Sequence, residues 1–156
     1  MKSLLAVGML ALVVASQAGA ATQTIRVTSV TLAMSTHDAA PKGASKGDTV
    51  TYSDRLLNAG AQFGRKKGAK VGSDTGTLTY TSAHTAKFSG RAKLPGGTVI
   101  LLGPVYTTSD GSIVVPVAGG TGKFSNVRGT LTVGPGKNHV LNTYRLIRTG
   151  IVPPVA

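Results

Sequence analysis

Residues 86–102 read Ala-Lys-Phe-Ser-Gly-Arg-Ala-Lys-Leu-Pro-Gly-Gly-Thr-Val-Ile-Leu-Leu. Phe88, Ala92 and Leu94 alternate with Lys87, Ser89, Arg91 and Lys93, the period-two pattern of a strand with one apolar and one polar face. Pro95-Gly96-Gly97 then supplies turn residues, and Val99-Ile100-Leu101-Leu102 opens a second run. The stretch predicts a β-hairpin, and the same pattern recurs on both sides of it.

Upstream, residues 25–34 alternate with a change of phase between Val27 and Val30, which a bulge in the first strand would explain. In residues 48–57, Val50, Tyr52 and Leu56 share one face opposite Thr49, Thr51, Ser53 and Arg55. Leu78 and Tyr80 alternate with Thr77, Thr79 and Thr81. Downstream, Ile113-Val114-Val115 is a continuous apolar run like 99–102, and both runs suit strands covered on both faces or crossing a crowded core. Val127, Gly129, Leu131 and Val133 oppose Arg128, Thr130 and Thr132, and residues 139–149 form a last strand. Ser109-Asp110-Gly111 and Gly134-Pro135-Gly136 provide further turns. These runs make eight strands with no crossover helix, so the expected fold is all-β. An antiparallel barrel or sandwich fits, and closure into a barrel would remove exposed edges.

Composition agrees. The 156 residues include 21 Gly, 20 Thr and 17 Val but no Glu, a balance that disfavours long helices. The length suits one domain. The absence of Cys excludes disulfides and thiolate metal sites. At the start, Lys2 precedes an apolar run from Leu4 to Ala15, and Ser16-Gln17-Ala18-Gly19-Ala20 ends in an A-x-A. The run is too short to span a bilayer and has a small-residue cleavage site, so residues 1–20 read as a signal peptide and the protein as secreted. The barrel domain is expected over residues 24–149, with 150–156 as a tail.

Residues 35–47 and 58–68 form two connections longer than the hairpin turns. Long loops on a rigid scaffold often hold function, although a plain surface loop accounts for them as well.

Four segments, taken in order, carry a family resemblance. Gly119-Gly120-Thr121-Gly122-Lys123-Phe124 ahead of Arg128-Gly129 resembles the signature of the allene oxide cyclase and dirigent superfamily. His37-Asp38 resembles the His-Asp pair of dirigent proteins. Gly47-Asp48-Thr49-Val50, with Leu56, resembles the opening of a cyclase-type second strand, and Leu102-Gly103-Pro104 resembles the Gly-Pro of the cyclases. The likeness covers about residues 25–149. It implies an eight-stranded antiparallel barrel with a cavity for a small apolar ligand, often assembled as a dimer or trimer.

The resemblance also nominates site residues. Asp38 matches the dirigent aspartate that lies at the cavity, and Arg128 matches the arginine of the dirigent Ala-Arg-Gly segment. Together they could polarise a quinone methide or carbonyl, the carboxylate as acid or base and the guanidinium as anion stabiliser. A loop aspartate capping backbone N-H groups and a surface strand arginine would be the plainer reading. The cyclases' Tyr-Glu-x-Asn is missing, since the corresponding positions are Ala33 and Ser35, so their glutamate-dependent cyclisation is not expected. Any enzymatic activity would then be of an isomerase or cyclase type, or a dirigent type in which a shaped cavity imposes a conformation.

Other chemistries lack the residues they need. The glycine motif is no P-loop, because Val117 stands five before Gly122 and Phe124 follows Lys123. It is no dinucleotide fingerprint either, with Ser125 at the third glycine position, so a turn between strands is its plain reading. His37, His84 and His139 have no metal-ligand spacing, and no Gly-x-Ser-x-Gly elbow occurs. No metal, nucleotide or flavin cofactor is called for.

Charge is the remaining signal. Seventeen Lys+Arg against five acids give net +12. Arg65, Lys66, Lys67 and Lys70 cluster in the second long loop, and Lys87, Arg91 and Lys93 line one strand face. The alternative function is therefore a non-catalytic extracellular module that binds acidic polysaccharide, an envelope polyanion or an anionic surface. Nucleic acid is not expected, given the export signal and seven Phe+Tyr with no Trp for stacking.

Overall fold

The computed structural model describes residues 21–135 and 139–149. The predicted signal peptide, residues 136–138 and the tail from Gly150 lie outside the described residues. Nine strands follow one another: β1 Thr22–His37, β2 Thr49–Asn58, β3 Lys70–Tyr80, β4 Ala86–Leu94, β5 Gly97–Pro104, β6 Tyr106–Thr107, β7 Ile113–Gly120, β8 Val127–Pro135 and β9 Val140–Arg148. All pairings are antiparallel, in the order β5-β4-β3-β2-β1-β9-β8-β7, and β5 pairs with β7 to close an eight-stranded barrel. The two-residue β6 is an extra ribbon on β7. Closure gives every main strand two neighbours, although residues 30–37 of β1 pair with β2 alone among the described residues.

Alternation decides what fills the barrel. Ile25, Val27, Leu56, Ala92, Leu94, Val99, Leu101, Leu131 and Leu146 are buried inside it. The bulge in β1 falls at Leu32, between Thr31 and Ala33, further along than the break in the sequence pattern. It keeps Thr31 opposite Asp54 and Met34 opposite Tyr52, so the inward face continues past it. The continuous run in β5 is covered on one face only. Val99 and Leu101 are buried, whereas Ile100 and Leu102 point outward and are 40% and 56% exposed.

The two ends differ. At one end Gly122–Phe124 forms a 3-10 turn whose Phe124 is buried against the core. Gly122 has φ +59°, and a Cβ there would lie 2.2 Å from the Gly96 carbonyl oxygen, so this turn of the glycine motif needs glycine. We call this the closed end. The opposite end, where β1 finishes and β2 begins, opens to a cavity.

Candidate functional site

The cavity occupies the barrel lumen towards the open end and has a volume of about 250 Å³. Its walls are Val50, Tyr52, Leu78, Phe88, Val105, Val115, Leu131 and Val133, with Met34, Ile113 and Val140 among its lining residues. The Phe88 ring packs against Tyr52 with centroids 6.0 Å apart. It lies across the cross-strand pair Gly76 and Gly90, where a Cβ on Gly76 would come 2.2 Å from the ring. These glycines make room for the aromatic wall.

Ser29, Asp54 and Asn142 add a polar floor. Asn142 Nδ2 donates to Ser29 Oγ at 2.7 Å, leaving Asn142 Oδ1 without a protein partner. Asp54 Oδ1 is likewise buried and unpartnered. Asp54 sits directly opposite Asp74 in the β2-β3 register, with both residues buried. Directly opposed Cβ atoms lie about 4.5–5.5 Å apart in such pairs. Both Asp74 carboxyl oxygens lack a protein partner, as does Tyr144 Oη behind them.

Burial dominates the ionisation of this group. It raises Asp54 above the usual carboxylate range, with the Thr31 and Ser29 hydroxyls acting in the opposite direction. Burial, reinforced by the charge of Asp54, pushes Asp74 up to about 7. The phenols of Tyr52 and Tyr144 are raised, first by burial and then by neighbouring charge including Asp74. Both carboxyls are thus biased towards the protonated form, in which a carboxyl can donate as well as accept. Carboxyls raised in this way, in a largely apolar cavity, are suited to general acid/base chemistry.

The sequence-nominated residues lie elsewhere. Asp38 is exposed in the loop after β1, at the open end. Arg128 is exposed at the other end, on the outward face of β8 between the buried Val127 and the half-buried Gly129. Its Nη1 donates 2.9 Å to the carbonyl of Val127. The register Arg128–Ile147–Thr22 places it level with the start of β1, so that 16-residue strand separates it from Asp38. The structure does not bring Asp38 and Arg128 to one cavity. They stand at opposite ends of β1, and strand parity turns Arg128 outward, because Val127 and Leu131 take the inward positions of β8.

Arg65, Lys66, Lys67 and Lys70 are exposed at the closed end. Their loop is held in place by the buried Asn58, whose Nδ2 donates to the carbonyls of Gln62 at 2.9 Å and Arg65 at 3.1 Å. Arg65 Nη1 donates to the Lys70 carbonyl at 2.9 Å. Between this loop and the outer face of β1 runs a groove of about 730 Å³ that includes Arg26, Lys67 and His139. It is larger than the lumen cavity but lies outside the barrel.

Asp48 and Asp110 organise the open-end loops. Asp48 accepts from the backbone N-H groups of Ser45 and Ala39, each at 2.7 Å, and from Ser45 Oγ at 3.1 Å. The Ser45 N-H bond is the main reason its carboxyl is held below the usual range. Asp110 is lowered by the Thr108 hydroxyl and then by the Ser112 N-H.

No protein-family model and no curated protein matches the chain. Solved structures do. A pyocyanin demethylase is 22% identical, with 80% of this chain and 99% of that one covered at a TM-score of 0.63. A pterocarpan synthase dirigent protein is 17% identical over 86% of this chain and 89% of its own, at 0.55. A Diels-Alderase from Streptomyces koyangensis is 17% identical over 90% and 77%, also at 0.55. Strand number, closure and these matches agree: the chain has the allene oxide cyclase/dirigent-like barrel fold.

Proposed function

We propose that the protein is a secreted small-molecule barrel that admits an apolar, unsaturated or aromatic ligand through the open end and steers its cyclisation or coupling. The observation carrying this reading is the apolar lumen cavity that ends on unpartnered buried acceptors, Asp54 and Asn142. Walls of fixed shape restrict the ligand to few conformations, which lowers the entropic part of a ring-closing barrier. Asp54 fixes the ligand's polar end and is placed to exchange a proton with it, while Asp74 tunes Asp54 from behind. Cyclisation turns π electrons into a new σ bond and needs no oxidant. Coupling would join intermediates that an external oxidant has already generated. The dirigent and Diels-Alderase neighbours support this class of chemistry.

Native mass spectrometry of the mature protein from its source medium, followed by denaturation to release bound molecules, tests the reading. A stoichiometric unsaturated ligand is expected, and a lumen-blocking Leu78→Trp variant should lose it. A protein that is empty, or whose ligand survives the block, would contradict the reading.

A second reading has its own observation. Arg65, Lys66, Lys67 and Lys70 stand on a loop braced by Asn58, at an end of the barrel with none of the chain's five acids. Such a platform suits an acidic polysaccharide or another extracellular polyanion. Retention on an anionic polymer that falls steeply with salt and vanishes when the four cations are replaced supports it; retention at high salt contradicts it.

A further inference from the structure

Every inward-facing side chain at the cavity floor that lacks a protein partner is an acceptor or can act as one. Asp54 and Asn142 are lining residues of the cavity, each with a buried, unpartnered Oδ1 beneath its surface, and Asp74 lies on the neighbouring strand. Asn142 is 3% exposed, and one of its two Nδ2 N-H donors is committed to Ser29. Among the described residues, no Lys, Arg or His lines the cavity. An anion would meet the like charge of Asp54 there, with only hydroxyls such as those of Ser29 and Thr31 to donate to it, and unsatisfied buried acceptors carry a desolvation penalty that a donor removes. A neutral hydroxyl could satisfy one acceptor but would leave the carboxylate charge desolvated and unpaired. A protonated nitrogen answers both needs, and the Tyr52 and Phe88 rings above the floor favour a flat body and a cation beside it.

Resting on the lumen-binding reading above, the geometry points to a ligand class: a small ring-bearing molecule whose head is a cationic N-H group, seated head-first against Asp54 and Asn142. The chain's strong positive charge does not oppose this locally. Its acids are concentrated where such a ligand enters and rests, with Asp38, Asp48 and Asp110 in the open-end loops alongside Lys42, Lys46, His37, His84 and Lys87, and Asp54 and Asp74 inside.

Three probes with one apolar body separate the possibilities: 1-naphthylmethylamine, 1-naphthylmethanol and 1-naphthoic acid, titrated calorimetrically into the folded protein at pH 8. The amine should bind at least about tenfold more tightly than the alcohol, a gap that matches one charge-assisted hydrogen bond, and the acid should bind weakest. Asp54→Asn and, separately, Asp74→Asn should shrink the amine's advantage. Retained alcohol binding in each variant shows that its lumen is intact. If the alcohol or the acid binds as well as the amine, or the preference survives both substitutions, the cationic-head assignment is overturned while lumen binding stands. If no probe binds, or Leu78→Trp leaves binding unchanged, the lumen reading itself fails and takes this assignment with it.

Discussion

The closed and open ends of the barrel are built from the same alternating strands, yet they have opposite chemistry. The closed end is dry inside and cationic outside: Phe124, Leu94 and Val127 are buried, while Arg65, Lys66, Lys67, Lys70, Lys123 and Arg148 are exposed around them. At the open end Met34 and Val140 remain 67% and 44% exposed at the rim, and carboxyls serve either as loop fasteners or as the cavity floor. One end is built mainly for stability. The other carries unpartnered polar groups, which cost stability and so point to a use.

The largest effect expected from breaking this contrast is in packing. Phe124→Ala should cost about 3–5 kcal/mol in urea denaturation, because its aromatic ring is buried at the closed end. Val140→Ala at the open rim should stay within about 0.5 kcal/mol. Equal losses at both positions would erase the distinction.

Ionisation separates the ends next. A carboxyl raised from 3.8 to about 7 in the folded state contributes most favourably below its unfolded pKa, and that contribution fades as pH rises towards 7. Asp74→Asn should therefore stabilise the protein at pH 8, by at most about 4 kcal/mol, and have little effect at pH 3. Asp48 behaves in the opposite sense, because its folded-state pKa is depressed. Its contribution is present above the unfolded pKa and lost in acid, so Asp48→Ala should destabilise at pH 7 and matter less at pH 3. Thermal unfolding across pH reads both slopes, and slopes of the same sign would contradict the assignment.

Small stability effects per site should come from the cationic loop. Replacing Arg65, Lys66, Lys67 and Lys70 by Ala should change stability by no more than about 0.5 kcal/mol per site. Lumen binding should be untouched, while any salt-sensitive adhesion to polyanions should disappear. A loss of lumen binding would mean that the two ends are coupled.

Much of the barrel was legible because period-two patterning survives burial on a single face. Asp54 shares the inward parity of Tyr52 and Leu56 on β2, but an acid there reads as an interruption of the apolar row, and it was not among the nominated residues. Asp74 is harder to see. Gly72 and Gly76 dilute the pattern of β3, and Gly76 is small because the Phe88 ring from the next strand occupies its space. That reason lies across the sheet and outside the local sequence. The segregation of charge is equally hidden, because Arg128 and Lys66 share an end only through the register of the closed barrel. Arg128 shows the opposite difficulty: a resemblance suggested a cavity role, whereas the apolar Val127, Leu131 and Val133 already mark the other face of β8 as the lumen.

The most direct test of the lumen carboxyl pair is a carbon-13 NMR titration of the five aspartate carboxyls in the folded protein. Asp74 should titrate near 7 and Asp54 above the ordinary range, with Asp48 and Asp110 below it. Addition of the cationic naphthyl probe should shift the two lumen signals alone. If Asp54 and Asp74 titrate as ordinary solvated carboxyls and ignore the probe, the lumen floor is not the functional site.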